Sequence, residues 1–337
     1  MDPLTHAALG ALGGAGVARV VDRHSVKAAT GLGALAGLFP DIDSVTLLVS
    51  PLYYHAYWHG TYTHSLLLAP AWALLFALLI RCIQRHSKGP ALPFALLYWL
   101  GLTGICTHIA ADLLTAWDVG VLMPLSNERV SLGLLFIVDP VFSASIVLAL
   151  GVIYWQARQP NPRLLVTVLT LFGPVIWLSF AAVQKHAALT YAKQYARQAA
   201  PLSGHAMQAW PQPFSLYHWK LLQNANDGVW AMDLRVSDSD PLDWPFNWMQ
   251  QSANAYLARN DAEWTFHPRQ PTPEAETAWQ HPDFQAVRDF MSYPAYLDND
   301  SSCLWFTDLL FVVPQMQPPF QYGLCTHTDG STRVRRR

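Results

Sequence analysis

The feature that most constrains this chain is a succession of apolar stretches crowded into residues 1–184. About 20 residues, rising about 1.5 Å each, cross the hydrocarbon layer of a bilayer. Residues 65–80, 91–117, 134–155 and 164–183 are apolar enough to do so. Two earlier stretches, 3–21 and 28–40, carry Gly10, Gly13, Gly14, Gly16, Gly31, Gly33 and Gly37. Such small residues let helices approach closely, so this pair reads as a tight hairpin that spans or re-enters the membrane. Composition agrees, since 52% of the chain is hydrophobic and 13% charged, whereas roughly a quarter of a soluble domain is charged.

The expected fold is therefore a mainly α membrane protein with about six transmembrane or re-entrant helices, followed by a small α+β extramembrane domain. Residues 1–184 form the membrane part, 185–213 an amphipathic run and Pro-rich linker, 214–329 the α+β domain, and 330–337 a solvated basic tail with Arg333, Arg335, Arg336 and Arg337. Within the second domain Asn226-Asp227-Gly228 signals a hairpin between residues 217–222 and 229–236. Residues 304–313 read as a strand and 283–293 as a short helix. The eight tryptophans from Trp210 to Trp305 read as an aromatic core, with headgroup binding as the alternative. A formal charge of −2 with no long basic stripe argues against a nucleic-acid partner. The four cysteines contain no CxxC, which argues against a zinc ribbon or a thioredoxin motif.

Orientation follows from Lys and Arg, which are retained in cytoplasmic loops. Arg19, Arg23 and Lys27, then Arg81, Arg85 and Lys88, then Arg158 and Arg163 mark alternate turns, while loops 48–64 and 118–133 carry only Arg129. Both termini then face outward, and the chain reads as a multi-pass protein of a bacterial inner membrane with its second domain outside the cytoplasm. Cys303 and Cys325 fall in that outer domain, where oxidising conditions favour a disulfide.

Ionisable groups at membrane depth are costly and usually mark function. On this topology they all fall at the outer ends of the helices: His6, Asp41 and Asp43, His55, His59 and His64, His108 and Asp112, and Asp139. His108 and Asp112, at i and i+4, share one helix face. Imidazole nitrogen with carboxylate oxygen suits zinc, with manganese or iron as alternatives. Asp41 and Asp43, in an extended turn, would point the same way and bridge two ions. His59 belongs to the turn before His64, and His55 to an aromatic loop of interfacial character. Asp2 ahead of Pro3 is suited to capping a helix. Asp139 ahead of Pro140 is a helix start, an outer-shell partner or a ligand. No GxSxG or Walker motif is present.

These segments resemble, in order, the motifs of the bacterial inner-membrane YdjM family of predicted metal-dependent hydrolases. The resemblance rests on Met1-Asp-Pro-Leu-Thr-His6, Phe39-Pro-Asp41-Ile-Asp43-Ser, His59-x4-His64-Ser and His108-Ile-Ala-Ala-Asp112-Leu-Leu-Thr115, followed by Pro124–Leu132 and Val138-Asp139-Pro140. The family is grouped with zinc-dependent phospholipase C, whose His-x3-Asp ligand pattern His108 and Asp112 resemble. One departure stands out: Gly60 and Thr61 occupy positions where the family usually has Arg and Gly.

The expected function is a metal-dependent hydrolase at the outer interface, acting on a phosphoester or related bond of a lipid or envelope amphiphile. His6, Asp41, Asp43, His59, His64, His108 and Asp112 would hold one or two divalent ions, zinc above others, with Asp41 or Asp139 accepting a proton. The rivals are a metal or proton-coupled transporter, whose coupling residues belong nearer the bilayer midplane, and a scaffold with structural metal.

Overall fold

The computed structural model describes residues 1–21, 25–86, 91–156, 158–159, 163–199, 206–213, 215–238, 243–300, 302–327 and 329–337. Arg23 and Lys88, position 87, and linker residues 201–205 lie outside them. The chain divides into two compact units, Met1–Phe180 and Ala181–Arg337.

The first unit is helical. Helices α1 (Pro3–Val21) and α2 (Val26–Leu38) form the glycine-lined pair. At Gly10, Gly14, Gly33 and Gly37 a Cβ would strike the backbone of the opposite helix. Absence of a side chain is what lets the two backbones touch. Past α2 the chain tightens into a 3₁₀ segment, Phe39–Leu48, with Pro40 at its start. Short turns at Pro51–Tyr53, Tyr54–Trp58 and Tyr62–His64 lead to α3 (Ala69–Arg85). Helix α4 (Phe94–Leu113) is the central element, burying Leu96, Leu100, Ile105 and Ile109. Helix α5 (Pro140–Gln156) precedes α6 (Leu164–Ala199), which runs from the first unit into the second with Pro174 inside it.

Among the described residues three segments, Val26–Leu48, Phe94–Leu113 and Val168–Gln194, are long and apolar enough to cross a membrane, and Pro140–Gln156 is apolar but shorter. Helix α3 has only 17 residues because the chain stays in turns up to Leu68, with Pro70 in the first helical turn. Side chains such as Leu74, Leu78, Leu148, Leu169, Phe172 and Ile176 are exposed on these helices. Apolar exposure on that scale belongs to an apolar solvent. The amphipathic run expected after residue 184 is the continuation of α6, not a separate linker.

The second unit combines two sheets with short helices. Strands β1 (Gln208–Pro211), β2 (His218–Asn224), β3 (Gly228–Arg235), β4 (Leu257–Ala258) and β5 (Thr265–Pro268) form one sheet. Its pairs are antiparallel except β3 with β4, and Asn224 opposite Val229 closes the expected hairpin. Trp219, Leu221, Met232 and Leu234 pack with Ala188 and Ala192 of α6, whose small side chains let the helix lie close. Helices α7 (Asn247–Asn254), α8 (Pro273–Gln280) and α9 (Gln285–Phe290) follow.

The second sheet is an antiparallel run of β6 (Pro294–Asn299), β7 (Cys303–Asp308), β8 (Gln321–Thr326) and β9 (Thr332–Arg336). Cys303 and Cys325 are directly opposed across β7 and β8 and form a disulfide. The Arg-rich end is thus an edge strand and not a loose tail: β9 completes its ladder against β8, and Arg337 pairs with Asp298 at 2.7 Å. Alternation carries its charges outward. Trp219, Trp279 and Trp305 are buried, whereas Trp248 is exposed.

Candidate metal centre

Asp112 is the hub of the first unit. It lies one helical turn beyond His108 on α4, and its Oδ2 is 3.1 Å from His108 Nε2 and 3.4 Å from His64 Nε2. Its Oδ1 takes His6 Nε2 at 3.1 Å and also pairs with the α-amino group of Met1. The rings of His6 and His108 stack with centroids 3.7 Å apart. Asp41 Oδ1 stands 3.5 Å from both His64 Nε2 and His108 Nε2, which are themselves 3.1 Å apart. His108 and His64 are fully buried and Asp112 nearly so, while Asp41 is 28% exposed and forms the solvent side of the cluster.

The tautomers decide what this arrangement can do. His108 Nδ1 lies 2.7 Å from the carbonyl of Gly37, which only accepts, so the ring proton resides on Nδ1. Thr63 Oγ1 donates to Asp43 Oδ2 at 2.8 Å, which leaves its lone pair to accept from His64 Nδ1 at 2.8 Å. With both rings neutral, the two Nε2 atoms present lone pairs, as do Asp41 Oδ1 and Asp112 Oδ2. Such a set is repulsive unless a proton or a metal cation sits inside it. Five of the six separations among these atoms run from 3.1 to 3.5 Å. Ligand atoms separated by that much can lie about 2.0 Å from a common point, the distance at which zinc takes nitrogen and oxygen ligands.

The wider set falls into two groups, each offering ligand atoms within 4.8 Å of one another: His6, His108 and Asp112, and Asp41, His59 and His64. His59 Nδ1 is 3.3 Å from Asp43 Oδ1, and its ring stacks on Tyr54 at 4.8 Å. Asp43 Oδ2 is 3.6 Å from His64 Nδ1. Asp41 and Asp43 thus flank one imidazole, on Nε2 and Nδ1, where an extended turn would have aimed both the same way. The reason is the 3₁₀ conformation of Phe39–Leu48, in which alternate residues lie about two-thirds of a turn apart.

Other candidates have local duties. Asp139 accepts from the backbone N–H of Phe142 at 2.8 Å and from Trp177 Nε1 at 3.0 Å. It caps α5 and fastens α6 to it, which is the helix-start role that the sequence offered among its alternatives. Asp2 caps α1 through the Thr5 N–H at 3.0 Å and the Thr5 hydroxyl at 2.6 Å. His55 packs edge-on against Tyr54 and Trp117. Tyr54, beside His55 in the aromatic loop, is buried against His59. Its aromatic neighbours masked that signal.

A family model described as YdjM inner membrane protein matches residues 1–188, more than half of the chain. The chain belongs to the YdjM family. That match spans every residue of the two clusters and places the protein in an inner-membrane family. No curated protein and no solved structure matches the chain. The departure from the YdjM pattern at position 60 has a visible setting. Gly60 has a φ of +71°, and a Cβ there would lie 2.8 Å from Nη2 of Arg129, so a guanidinium from another loop already fills the space a side chain would enter.

Proposed function

We propose that this YdjM-family protein is a membrane-bound metal-dependent hydrolase, acting on a phosphoester or related bond of a lipid or envelope amphiphile at the outer face of the inner membrane. The observation that carries the reading is the inward-facing set of four lone-pair donors, His64 Nε2, His108 Nε2, Asp41 Oδ1 and Asp112 Oδ2. His6, His59 and Asp43 extend it to one ion or two, with zinc favoured by the nitrogen and oxygen donors. When bound, a divalent ion supplies Lewis acidity, polarising the scissile group and making water acidic near neutral pH.

The chain's own residues do the rest. The Gly37 carbonyl and Thr63 hold the two imidazoles in the tautomer that leaves Nε2 free. Asp112 divides its oxygens between His6 and the His64–His108 pair, tying α1 to α4. Asp41, the exposed member, faces the side from which substrate enters, and its Oδ2 lies outside the contacts to His64 and His108, suited to accept a proton from water. Substrate at a membrane surface fits a site at helix ends within an apolar-faced unit.

The test is metal analysis of the detergent-purified protein alongside His108→Ala, followed by assay on phospholipid and other phosphoester substrates. Wild type with bound transition metal and turnover, both abolished by His108→Ala, supports the proposal. A folded wild type without bound transition metal overturns it, and metal without hydrolysis of any such ester reduces the site to a structural one.

A further inference from the structure

The cluster's second group depends on His59, and His59 follows the short helical segment ending at Trp58 with no regular element of its own. Its N–H donates to the Tyr54 carbonyl at 2.8 Å, and its own carbonyl is held by Arg129, from the loop that also forms the Val119–Val130 bridge. Nη2 of Arg129 donates to the His59 carbonyl at 2.7 Å and reaches the Asp118 carbonyl at 3.4 Å. Nη1 donates to the Ala56 carbonyl at 3.4 Å, and Nε lies 3.3 Å from Asp118 Oδ1. The guanidinium is only 18% exposed. Carbonyls at the end of a helical segment carry partial negative charge, and a planar, always-charged fork can hold several at once.

Gly60 completes the arrangement. A Cβ at position 60 would come within 2.9 Å of the Asp118 carbonyl as well as meeting Arg129, so the chain passes Arg129 only with a residue that has no side chain. On its ring side His59 is held by Tyr54 and Asp43. On its carbonyl side it is held by Arg129.

We infer that Arg129 is a positioning residue for the metal centre, clamping the backbone at Ala56 and His59 so that the His59 imidazole is presented to the Asp41–His64 group. The inference rests on the metal reading above, and it assigns Arg129 no contact with substrate. Every polar interaction found for its guanidinium goes to the loop or to Asp118, so its influence on metal runs through His59.

A double-mutant cycle with Co(II) as the probe tests this. The full-length protein in detergent is titrated as wild type, Arg129→Gln, His59→Ala and the double variant, with thermal melts to establish folding. Partners that orient a ligand change metal affinity by roughly 10–100-fold, and a loss in that range is expected for Arg129→Gln. In the His59→Ala background the same substitution is expected to change affinity by less than about two-fold, since coupled residues do not add. Arg129→Lys keeps a charge but cannot span both carbonyls, and carries the same cycle if the Gln variant does not fold, with a smaller loss. Unchanged affinity in Arg129→Gln, or an equal loss with and without His59, overturns the inference while leaving the metal site standing. A wild type that binds no Co(II) overturns the metal reading and this inference with it.

Discussion

His108 shows how much one side chain is asked to do. Its Nδ1 is bound to the Gly37 carbonyl on α2, its Nε2 faces His64, Asp41 and Asp112, and its ring lies against His6. A metal taken up on the proposed site would bind the native state alone, and would stabilise it by about 2.7 kcal/mol at 100 times its dissociation constant. Chelation should therefore lower the melting temperature of wild type and leave that of His108→Ala unchanged, as differential scanning fluorimetry in detergent would record. Asp2 makes the contrast. Asp2→Ala should cost about 1 kcal/mol through the lost cap and keep its metal, which a thermal melt with metal analysis separates. The pairing of His108 with Asp112 was legible in sequence because helix periodicity is local. The approach of His108 to His64 followed from sequence only as a convergence at the outer helix ends; the contact of their Nε2 atoms joins a helix to an irregular turn, and only the tertiary structure gives it.

At the scale of elements, the α1–α2 pair sets the distance between His6 and the Gly37 carbonyl that holds His108. Gly33→Val should force the helices apart at the Gly10 and Gly14 backbones, at a cost of about 1–3 kcal/mol, and weaken metal binding though the position carries no ligand. A melt that falls while metal affinity holds would detach the hairpin from the site. The turn from β6 to β7 offers a pH test in the second unit. Asp300 accepts from the N–H groups of Ser302 and Cys303 at 2.9 Å and from Trp305 Nε1 at 2.8 Å. The Ser302 N–H first, then Trp305 and the Cys303 N–H, hold its carboxyl down at about 2. A depressed folded value means that its stabilisation is present above the ordinary 3.8 and is lost as pH falls toward 2. Urea melts at pH 5 and at pH 3 should therefore differ more in wild type than in Asp300→Asn.

For the whole molecule, charge asymmetry and the Cys303–Cys325 disulfide support one orientation, since disulfides persist in oxidising compartments. Single cysteines at positions 126 and 237 should react with an impermeant thiol reagent from outside intact cells, and one at position 87 should not. Reaction at position 87 alone would put the metal centre on the cytoplasmic side and end the envelope-facing proposal.

The apolar helical half, its glycine-lined pair, the β2–β3 hairpin and the residue types of the His/Asp cluster were written in the sequence, because hydropathy, small-residue spacing and turn chemistry act over a few neighbouring positions. Helix lengths were not: α3 starts late because the chain first closes turns around His59 and His64, and α6 runs on because Ala188 and Ala192 find a sheet to pack against. The Asp2 cap was readable beside Pro3, but the places of Asp41, Asp43 and Asp139 were decided by tertiary structure. Asp2, Asp41, Asp43, Asp112 and Asp139 are chemically alike, and what distinguishes a cap from a ligand is which lone pairs the fold turns toward one another.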